Sequence, residues 1–357
     1  MQNVIYIFGA HSRAQTLAVY LQYLHPDTVV EAYLYDNDEP NPEKIGDTAV
    51  ISLEKKVNLH TDNLVYIGTR GIFHEKITSC LKQIGFKTII PVTVELDLQL
   101  RNEYLKKYFA SEGRDFVKID RLDESEEKKK AVVYVAMSAF DKPLQQEYAF
   151  APYEKGIQAG AALTEKRLWD GILTDNIGEN ISPKNRQFCE LTVLYWIWKH
   201  AEEEIVGLVH YRRHFILPED WIRRMEENQV DVILSIPLYV APSLAGNFKS
   251  RHDPADWDYM MDCLKVRDIE EYREAEDFFR KNLYSPCNMF IMRKDVLNEL
   301  CEWMFPILFA VAEHGGQKED SYLNRYPGFI SERLITFYFE KNRAKYRVVY
   351  SDKNFLP

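Results

Sequence analysis

The amino-acid sequence predicts an α/β protein in which an N-terminal Rossmann-like, doubly wound domain precedes a second, mixed α/β domain. Three observations support this fold class. Short apolar runs typical of strands alternate with helical patterns through the first third of the chain. One charged stretch, DESEEKKK at 123–130, has no apolar periodicity and reads as a linker. A second set of strand and helix patterns then continues to the end, which predicts domains at 1–122 and 131–357.

The first domain is predicted from four apolar runs with helical spacing between them. Leu17, Leu21 and Leu24 form an apolar stripe over 11–24, and another helix is predicted over about 72–84. Alternation of this kind is typical of a parallel sheet with helices on its faces. The predicted strands are VIYIFGA, VVEAYLYD, LVYIGT and TIIPV.

The turn after the first strand argues against a dinucleotide cofactor. It reads Gly9-Ala10-His11-Ser12-Arg13-Ala14, whereas the dinucleotide fingerprint needs a small residue where His11 stands. An imidazole there obstructs the approach of a pyrophosphate to the backbone. Asp36 does lie where a ribose-binding acid would lie, at the end of the second strand. NAD binding is therefore not expected, and a structural or regulatory role for this domain is the alternative.

The second domain is predicted to mix strands, helices and long irregular segments. The segments YEKGIQAGAAL and LWDGILTDNIGENISPKN are expected to be irregular but ordered, because Asn, Gly and Asp dominate TDNIGEN. Another irregular stretch is expected between the strands VDVILS and CNMFIMRK. A helix is expected from about Pro183 to Glu204, and Ser331 is expected to cap a helix that begins at Glu332. The predicted strands are VVYVAM, IVGLVHYRR, VDVILS, CNMFIMRK and RVVYS, and further helices are expected near 219–228 and 294–312.

Composition excludes several classes of protein. The formal net charge of −10 argues against duplex nucleic acid as a partner, because phosphate binding needs a basic surface. The five cysteines form no CxxC pair and read as free thiols of a reducing compartment. The N-terminus has no basic segment before its first strand, and runs such as FPILFAVA are too short to cross a bilayer. A cytoplasmic protein, at most peripherally associated with the inner face of a membrane, is expected.

The segment GLVHYRRHF at 207–215 suggests an anion site. Both faces of the strand are apolar early, as in a central parallel strand, and polar side chains come only at its carboxyl end. Open α/β sheets bind ligands beyond the carboxyl ends of their strands. Two arginines there can hold phosphate oxygens through paired, charge-assisted hydrogen bonds. HYRR therefore predicts a diphosphate-binding edge, although a structural arginine cluster is the alternative.

Carboxylates are the other candidate site residues. Glu190 lies on a helix that is apolar around most of its circumference, so it needs a cation or several donors. Arg186 and the HYRR arginines are its candidate partners, and an ion pair that anchors the helix is as good an interpretation as ligand contact. Asp320, Glu319 and Glu332 are candidate general bases, although Glu332 could instead only favour a helix dipole.

Several blocks together resemble a bacterial family long labelled as a domain of unknown function. They are DNIGENIS-KN, CELTVLYWIWKH, GLVHYRRHF, CNMFIMRK and GFISERLITFY, and the resemblance covers residues 131–350. Members of that family occur in capsular and exopolysaccharide biosynthesis and are taken to be glycosyltransferases of GT-A-like fold. The resemblance implies a GT-A-like domain that moves a sugar from a nucleotide-sugar donor to a glycan or lipid-linked acceptor.

The resemblance also implies roles for individual residues. GT-A enzymes usually hold the donor diphosphate with a divalent metal on an Asp-x-Asp motif, and this chain has HYRR in that place. We expect Arg212, together with Arg213 and His210, to neutralise the leaving diphosphate in place of a cation, and Mn²⁺ or Mg²⁺ is the alternative. The implied donor-binding residues are Asp175, Asn176, Asn180, Lys184, Glu190, His210, Tyr211, Arg212 and Arg213.

The acceptor side is implied by the later blocks of the same family. Asn288 and Arg333 are expected to line it. An inverting transfer needs a carboxylate that removes the proton of the acceptor hydroxyl, and Glu332 is the first choice with Asp320 the second. A retaining transfer would not need this base, and stereochemistry stays open. Two other functions also stay open: an NAD-dependent sugar oxidoreductase and a non-catalytic scaffold that binds nucleotide sugars.

Overall fold

The computed structural model describes residues 3–36, 41–54, 59–122 and 130–357. The chain divides into two compact units, Met1–Phe116 and Val117–Pro357. The predicted linker at 123–130 falls, except for Lys130, outside the described residues. No helix of the described ranges combines the length and the apolarity needed to span a bilayer.

The first unit is built on a largely parallel sheet. Its elements are β1 (Asn3–Phe8), α1 (Ser12–Leu24), β2 (Thr28–Tyr35), β3 (Lys44–Ile45), β4 (Thr48–Ser52), β5 (Leu64–Ile67), α2 (His74–Ile84), β6 (Ile89–Pro91) and α3 (Val94–Ser111). The strand order is β3-β4-β2-β1-β5-β6, with only the short β3 antiparallel. The four predicted strands are therefore present as β1, β2, β5 and β6.

Two details of the first unit differ from the sequence prediction or extend it. Helix α3 was not predicted, and Thr93 caps it by accepting a 3.2 Å hydrogen bond from the Leu96 N–H. Gly9 has φ +117, which favours glycine, and a Cβ there would lie 3.2 Å from Ala14 Cβ. This glycine therefore allows α1 to begin close against the end of β1.

The second unit contains a mixed sheet with helices on both faces. Its elements are β7 (Ala131–Met137), β8 (Glu154–Gln158), β9 (Leu173–Thr174), α4 (Asn185–Phe188), α5 (Leu191–His200), β10 (Ile205–His210), α6 (Trp221–Glu227), β11 (Val232–Ser235), β12 (Leu238–Tyr239), α7 (Leu244–Lys249), α8 (Pro254–Arg267), α9 (Ile269–Phe279), β13 (Leu283–Tyr284), β14 (Phe290–Arg293), α10 (Lys294–Gly315), α11 (Tyr326–Lys341) and β15 (Val348–Ser351).

Strand β10 is the centre of this sheet, whose order is β15-β11-β14-β10-β7-β8-β9. It runs parallel to β7 and antiparallel to β14. Val206 and Leu208 pack into the core beneath α5 and α8 to α11, whereas Ile205 and Val209 pack into the core on the α6 side. Both faces of β10 are therefore buried, which confirms the prediction of a central strand and of an α/β fold.

Several elements of the second unit differ from prediction. The strand IVGLVHYRR ends at His210, because His210 and Arg213 close a turn through hydrogen bonds of 2.9 and 3.1 Å. The helix expected from Pro183 to Glu204 is interrupted at Cys189, whose φ of 49 lies outside the helical region. Helix α11 begins at Tyr326, so Ser331 does not cap it and Glu332 lies beyond its first turn. Segments expected to be irregular contain β8, β9 and α7 to α9.

Candidate active site

The turn at the end of β10 gives each residue of HYRRH a different environment. The Nε2 of His210 lies 2.5 Å from the carbonyl oxygen of Cys287. Burial lowers the pKa of His210, and the charges of Arg213 and Arg325 act in the same direction while that of Glu190 opposes them. A neutral His210 that donates from Nε2 to the carbonyl fits these surroundings. His210 is therefore a buried side chain whose ring is held in one orientation beside the site.

Cys287 and Asn288 hold two carboxylates side by side. Both residues have left-handed backbone, with φ of 80 and 48. The Cys287 N–H donates to Glu332 Oε1 at 2.6 Å, and Asn288 Nδ2 donates to Glu190 Oε1 at 2.6 Å. Non-glycine residues in this conformation are costly and concentrate at functional sites. The turn before β14 therefore holds Glu190 and Glu332 near each other through two consecutive residues.

Glu332 is poised to exchange a proton near neutral pH. Its side chain is only 12% exposed. Burial raises the pKa of Glu332 to about 7, helped by the charge of Glu190 and opposed by Arg333 and the Cys287 N–H. A carboxylate with a pKa near the working pH suits general base catalysis. The role of Glu332 as base stays a prediction, and its burial favours that role.

Arg325 is a site residue that the sequence analysis missed. Its Nε donates to Cys189 Sγ at 3.1 Å, and its charge acts on Glu190 and Glu332. It lies just before α11, in the NRYPGF stretch that precedes the matched ERL block. Burial raises the pKa of the Cys189 thiol to about 12, so Arg325 pairs with a neutral thiol and keeps its charge for the carboxylates.

The two arginines of the turn are not equivalent. Arg212 donates from Nε to Tyr211 Oη at 2.8 Å and from Nη2 to the carbonyl oxygens of Lys142 and Pro143 at 3.0 and 2.9 Å. Arg213 makes no side-chain hydrogen bond to the described residues and only stacks its guanidinium 5.3 Å from the Phe355 ring centroid. The geometry therefore leaves the donors of Arg213 for a ligand, whereas those of Arg212 hold loops together.

The loop of the DNIGENIS block depends on Asp175. This carboxylate is fully buried and accepts four hydrogen bonds, two from backbone N–H groups and two from hydroxyls. The donors are Gly160 N at 2.8 Å, Ala161 N at 3.0 Å, Ser182 Oγ at 2.5 Å and Thr192 Oγ1 at 2.6 Å. Direct contact of Asp175 with a donor stays a prediction, and its contacts favour a positioning role.

The other predicted donor-loop residues differ in how they are held. Asn180 bridges its own turn, donating to the Gly178 carbonyl at 2.7 Å and accepting from Ser182 N at 3.1 Å. Asn176 is half-buried and Lys184 is exposed, and neither side chain has a hydrogen-bond partner in the described part of the chain. Asn176 and Lys184 are thus the members of this loop whose polar groups are open to a ligand.

Two predicted residues of the acceptor side have structural contacts. Asp320 is exposed, and its Oδ1 accepts from the N–H groups of Tyr322 and Leu323 at 2.9 and 2.8 Å. Asp320 therefore caps a 3₁₀ turn, and these contacts favour Glu332 over it as base. Arg333 is buried and donates to the Phe329 carbonyl at 2.7 Å and to Asn247 Oδ1 at 3.0 Å.

An aromatic cavity of about 320 Å³ lies beside the same turn. Met137 at the end of β7 and Tyr211 after β10 form part of its wall. The full lining is Met137, Leu144, Tyr148, Phe150, Trp169 and Tyr211. A Cβ on Gly156 would lie 2.7 Å from the Trp169 ring, so this glycine lets the indole lie on the sheet. The rings of Tyr148 and His214 are tilted by 32° with centroids 3.9 Å apart, and His214 Nδ1 lies 2.7 Å from Glu154 Oε1.

Two further features of the described chain bear on ligands. No group of three His, Cys, Asp or Glu side chains in the described ranges is arranged to hold a metal ion. A second cavity, of about 260 Å³, lies at the opposite end of β10, where Ile205, Arg293 and Lys294 contribute to its wall. Neither Glu190 nor Glu332 lines this second cavity.

The second unit matches one family model by sequence, and the chain resembles a solved glycosyltransferase structure in fold. The family model described as a domain of unknown function (DUF4422) matches residues 133–343. The apo structure of the bifunctional glycosyltransferase WbbM is similar, with a TM-score of 0.54 and 24% identity over 64% of this chain. The match spans only 45% of WbbM, and at this identity it shows the fold, which agrees with the predicted glycosyltransferase-like architecture.

Other comparisons add little. The Mn/GDP form of core-mannan synthase A (CmsA/Ktr4) from Aspergillus fumigatus aligns over 100% of this chain and 75% of its own, with 11% identity and a TM-score of 0.26. That likeness is too weak to bear on the fold. No curated protein matches the chain.

Proposed function

Because this chain belongs to the family described as a domain of unknown function (DUF4422), and its fold is that of a glycosyltransferase, we propose that it is a nucleotide-sugar-dependent glycosyltransferase. One observation supports this above all others. At the carboxyl end of the central strand, the guanidinium of Arg213 and two fixed carboxylates, Glu190 and Glu332, all act electrostatically on Cys287. Cation and base are the two groups that transfer from an activated sugar requires.

On the donor side, Arg213 is the group that neutralises the leaving diphosphate. Its N–H groups have no hydrogen-bond acceptor in the described chain, and charge-assisted hydrogen bonds to phosphate oxygens would satisfy them. Of the two arginines predicted to hold the diphosphate, Arg213 keeps that role in this proposal, while Arg212 and Asp175 position the surrounding loops. The aromatic cavity beside Tyr211 offers rings on which the planar base of the nucleotide can stack.

On the acceptor side, Glu332 is the general base. In an inverting transfer, the acceptor hydroxyl oxygen attacks the anomeric carbon while the bond from that carbon to the diphosphate oxygen breaks. The hydroxyl proton moves to Glu332, and the bonding electron pair leaves with the diphosphate, beside Arg213. Asn288 keeps Glu190 in place, and the charge of Glu190 raises the proton affinity of the base. The acceptor is a glycan or lipid-linked saccharide of capsular or exopolysaccharide assembly, reached from the cytoplasm at the inner face of the membrane.

Binding of nucleotide sugars, followed by release of the nucleoside diphosphate, tests the proposal. A panel of nucleotide sugars screened by thermal shift should contain at least one that raises the melting temperature, because a ligand of the native state stabilises it. The stabilising donor should then release its nucleoside diphosphate in the presence of a saccharide acceptor. If no nucleotide sugar stabilises the full chain while NAD does, the oxidoreductase alternative replaces this proposal.

Dependence on metal has a separate test. With Arg213 in the role of the cation, a chelator should leave turnover within about twofold of its starting value. Turnover that a chelator abolishes and that Mn²⁺ or Mg²⁺ restores would assign the neutralisation of the diphosphate to a metal.

A further inference from the structure

His252 is a buried histidine without a hydrogen-bond partner in the described chain. It lies in the connection between α7 and α8 and is 6% exposed. Both of its ring nitrogens are buried, and neither has a partner among the described residues. A buried polar atom without a partner loses its hydration and gains nothing in return, at a cost of roughly 1–3 kcal/mol. An imidazole in this position therefore needs an explanation.

Three aromatic rings enclose the imidazole. Phe248 stacks on it with ring centroids 4.9 Å apart, and Phe329 lies 4.4 Å away. The outer ring is Tyr322, which is nearly parallel to the imidazole, at 15°, with centroids 5.0 Å apart. Tyr322 itself is 42% exposed. One exposed tyrosine ring on the 316–325 segment is thus an outer cover of an otherwise enclosed polar group.

Burial and the neighbouring arginines both favour the neutral form of His252. Burial lowers the pKa of His252 to about 4, and Arg333, Arg251 and Arg325 act in the same direction. A neutral imidazole offers one N–H donor and one acceptor nitrogen. That pair matches a hydroxyl group, which can both accept and donate, better than it matches a phosphate or an ammonium group.

The position of His252 relates it to the proposed base. Phe329, which contacts the imidazole, and Glu332 are three residues apart on α11, so they are separated by about 4.5 Å along the helix axis. Arg325, which acts on both Glu332 and His252, stacks over the same Phe329 ring at 5.8 Å. None of His252, Tyr322 and Phe329 lines the aromatic cavity beside Tyr211. A saccharide whose hydroxyl reaches Glu332 could therefore place its ring over this cluster.

We infer that His252 and Phe329, covered by the ring of Tyr322, form a saccharide-binding subsite on the α11 side of Glu332. Tyr322 turns aside, a sugar ring takes its place against Phe329, and a sugar hydroxyl pairs with the bare nitrogens of His252. Sugar rings pack their apolar face on aromatic side chains and leave their hydroxyls for polar partners. The inference rests on the proposed function only in naming this saccharide the acceptor.

The test uses the full chain and a panel of methyl glycosides of common hexoses and N-acetylhexosamines. Saturation-transfer NMR should detect binding of at least one glycoside to the wild-type protein, with a dissociation constant in the millimolar range. His252→Phe should weaken that binding about tenfold or more, whereas Tyr322→Ala, which removes only the ring that the sugar displaces, should bind at least as tightly as wild type. Leu323→Ala, which removes a neighbouring exposed side chain of the same turn, is the matched control and should bind as wild type does.

His252→Phe should fold, because it removes an imidazole that makes no hydrogen bond to the described chain. If it does not, the ¹³Cε1–H signal of His252 in the wild-type protein replaces it as the probe. The subsite is overturned if no glycoside shifts that signal, or if His252→Phe binds glycosides as tightly as wild type. Binding of nucleoside diphosphates to wild type is measured in parallel. Glycoside binding without nucleotide binding would overturn the proposed function and leave the subsite standing.

Discussion

The backbone N–H of Cys287 donates a 2.6 Å hydrogen bond to Glu332 Oε1, so the candidate base is held by the neighbour of the residue that holds Glu190. The base therefore depends on the backbone of another element as well as on its own helix. Burial nevertheless raises the pKa of Glu332 to about 7. A base that is fixed in direction but half-protonated near neutrality makes the reaction sensitive both to pH and to the turn before β14.

Glu332→Gln is expected to lower turnover by roughly a hundredfold to ten-thousandfold, the usual contribution of a general base. The amide can still accept from the Cys287 N–H, so the fold should be retained. Wild-type kcat/KM should rise with pH around a midpoint near 7, as the carboxyl loses its proton. Glu313→Gln, at an exposed position of α10, is the control. Equal activity of Glu332→Gln and wild type would remove Glu332 from the mechanism.

Stability should depend on pH through the same carboxyl group. The pKa of Glu332 is raised above its ordinary value of 4.5, so between about pH 4.5 and 7 the unfolded chain releases a proton that the folded chain keeps. Its contribution to folding therefore becomes unfavourable as pH rises through this window. The melting temperature of Glu332→Gln minus that of wild type should increase from pH 5 to pH 8, measured by calorimetry. A difference that falls with pH would contradict the burial of an uncharged Glu332.

The arginines of the turn should separate binding from stability. Arg213→Ala is expected to weaken nucleoside diphosphate binding about 10- to 100-fold, because charge-assisted hydrogen bonds contribute about 1.5–3 kcal/mol. Its melting temperature should hardly change, since its side chain makes no hydrogen bond to the described chain. Arg212→Ala should lower the melting temperature, because it removes the bonds to the Lys142 and Pro143 carbonyls. Titration calorimetry and thermal shift on both variants decide, and the reverse pattern would restore Arg212 as the phosphate ligand.

The loop around Asp175 offers a second contrast of the same kind. Asp175→Asn should reduce the free energy of unfolding by roughly 2–4 kcal/mol, because buried donors that lose their acceptor cost about 1–3 kcal/mol each. Asn176→Ala should leave stability within about 0.5 kcal/mol, since its side chain has no partner in the described residues. Denaturant unfolding measures both. Loss of donor binding in Asn176→Ala with unchanged stability would assign this amide to the donor, and unchanged binding would remove it.

The aromatic cavity should bind the nucleotide through its base. Trp169→Ala is expected to weaken binding of the nucleoside monophosphate roughly 5- to 150-fold, the range for loss of one base–aromatic stack. Its affinity for inorganic pyrophosphate should not change, because the indole contributes no charge. Phe140→Ala removes an exposed aromatic ring that does not line the cavity and serves as control. Equal losses for both ligands would show that Trp169 only supports the fold.

The sequence predicted more of the fold than of the site. Apolar periodicity predicted β10 as a central strand and put its polar residues at the carboxyl end, because burial on both faces leaves a continuous apolar run. The distinction between Arg212 and Arg213 could not be predicted, since it depends on a turn that reverses the chain within three residues. The roles of Cys287 and Asn288 were hidden for a similar reason. No glycine marks their left-handed backbone, and only contacts distant in sequence maintain it.

Helices α7 to α9 show another limit of the sequence analysis. They lie in the stretch expected to be irregular between VDVILS and CNMFIMRK, although Asp253 and Asp268 accept hydrogen bonds from N–H groups in the first turns of α8 and α9. Attention to these caps would have found the two helices. It would not have placed His252 inside an aromatic cage, because that placement depends on how α11 packs on them.

The left-handed backbone of Cys287 implies that some thermal stability is given up to orient Glu332 and Glu190. Glycine adopts such conformations without steric penalty, so Cys287→Gly should relieve roughly 1 kcal/mol of strain while keeping the N–H that holds Glu332. The same substitution would let the peptide sample other directions and would loosen both carboxylates together. A more heat-resistant yet slower protein is the expected product, and it would reveal that rigidity here serves chemistry rather than folding.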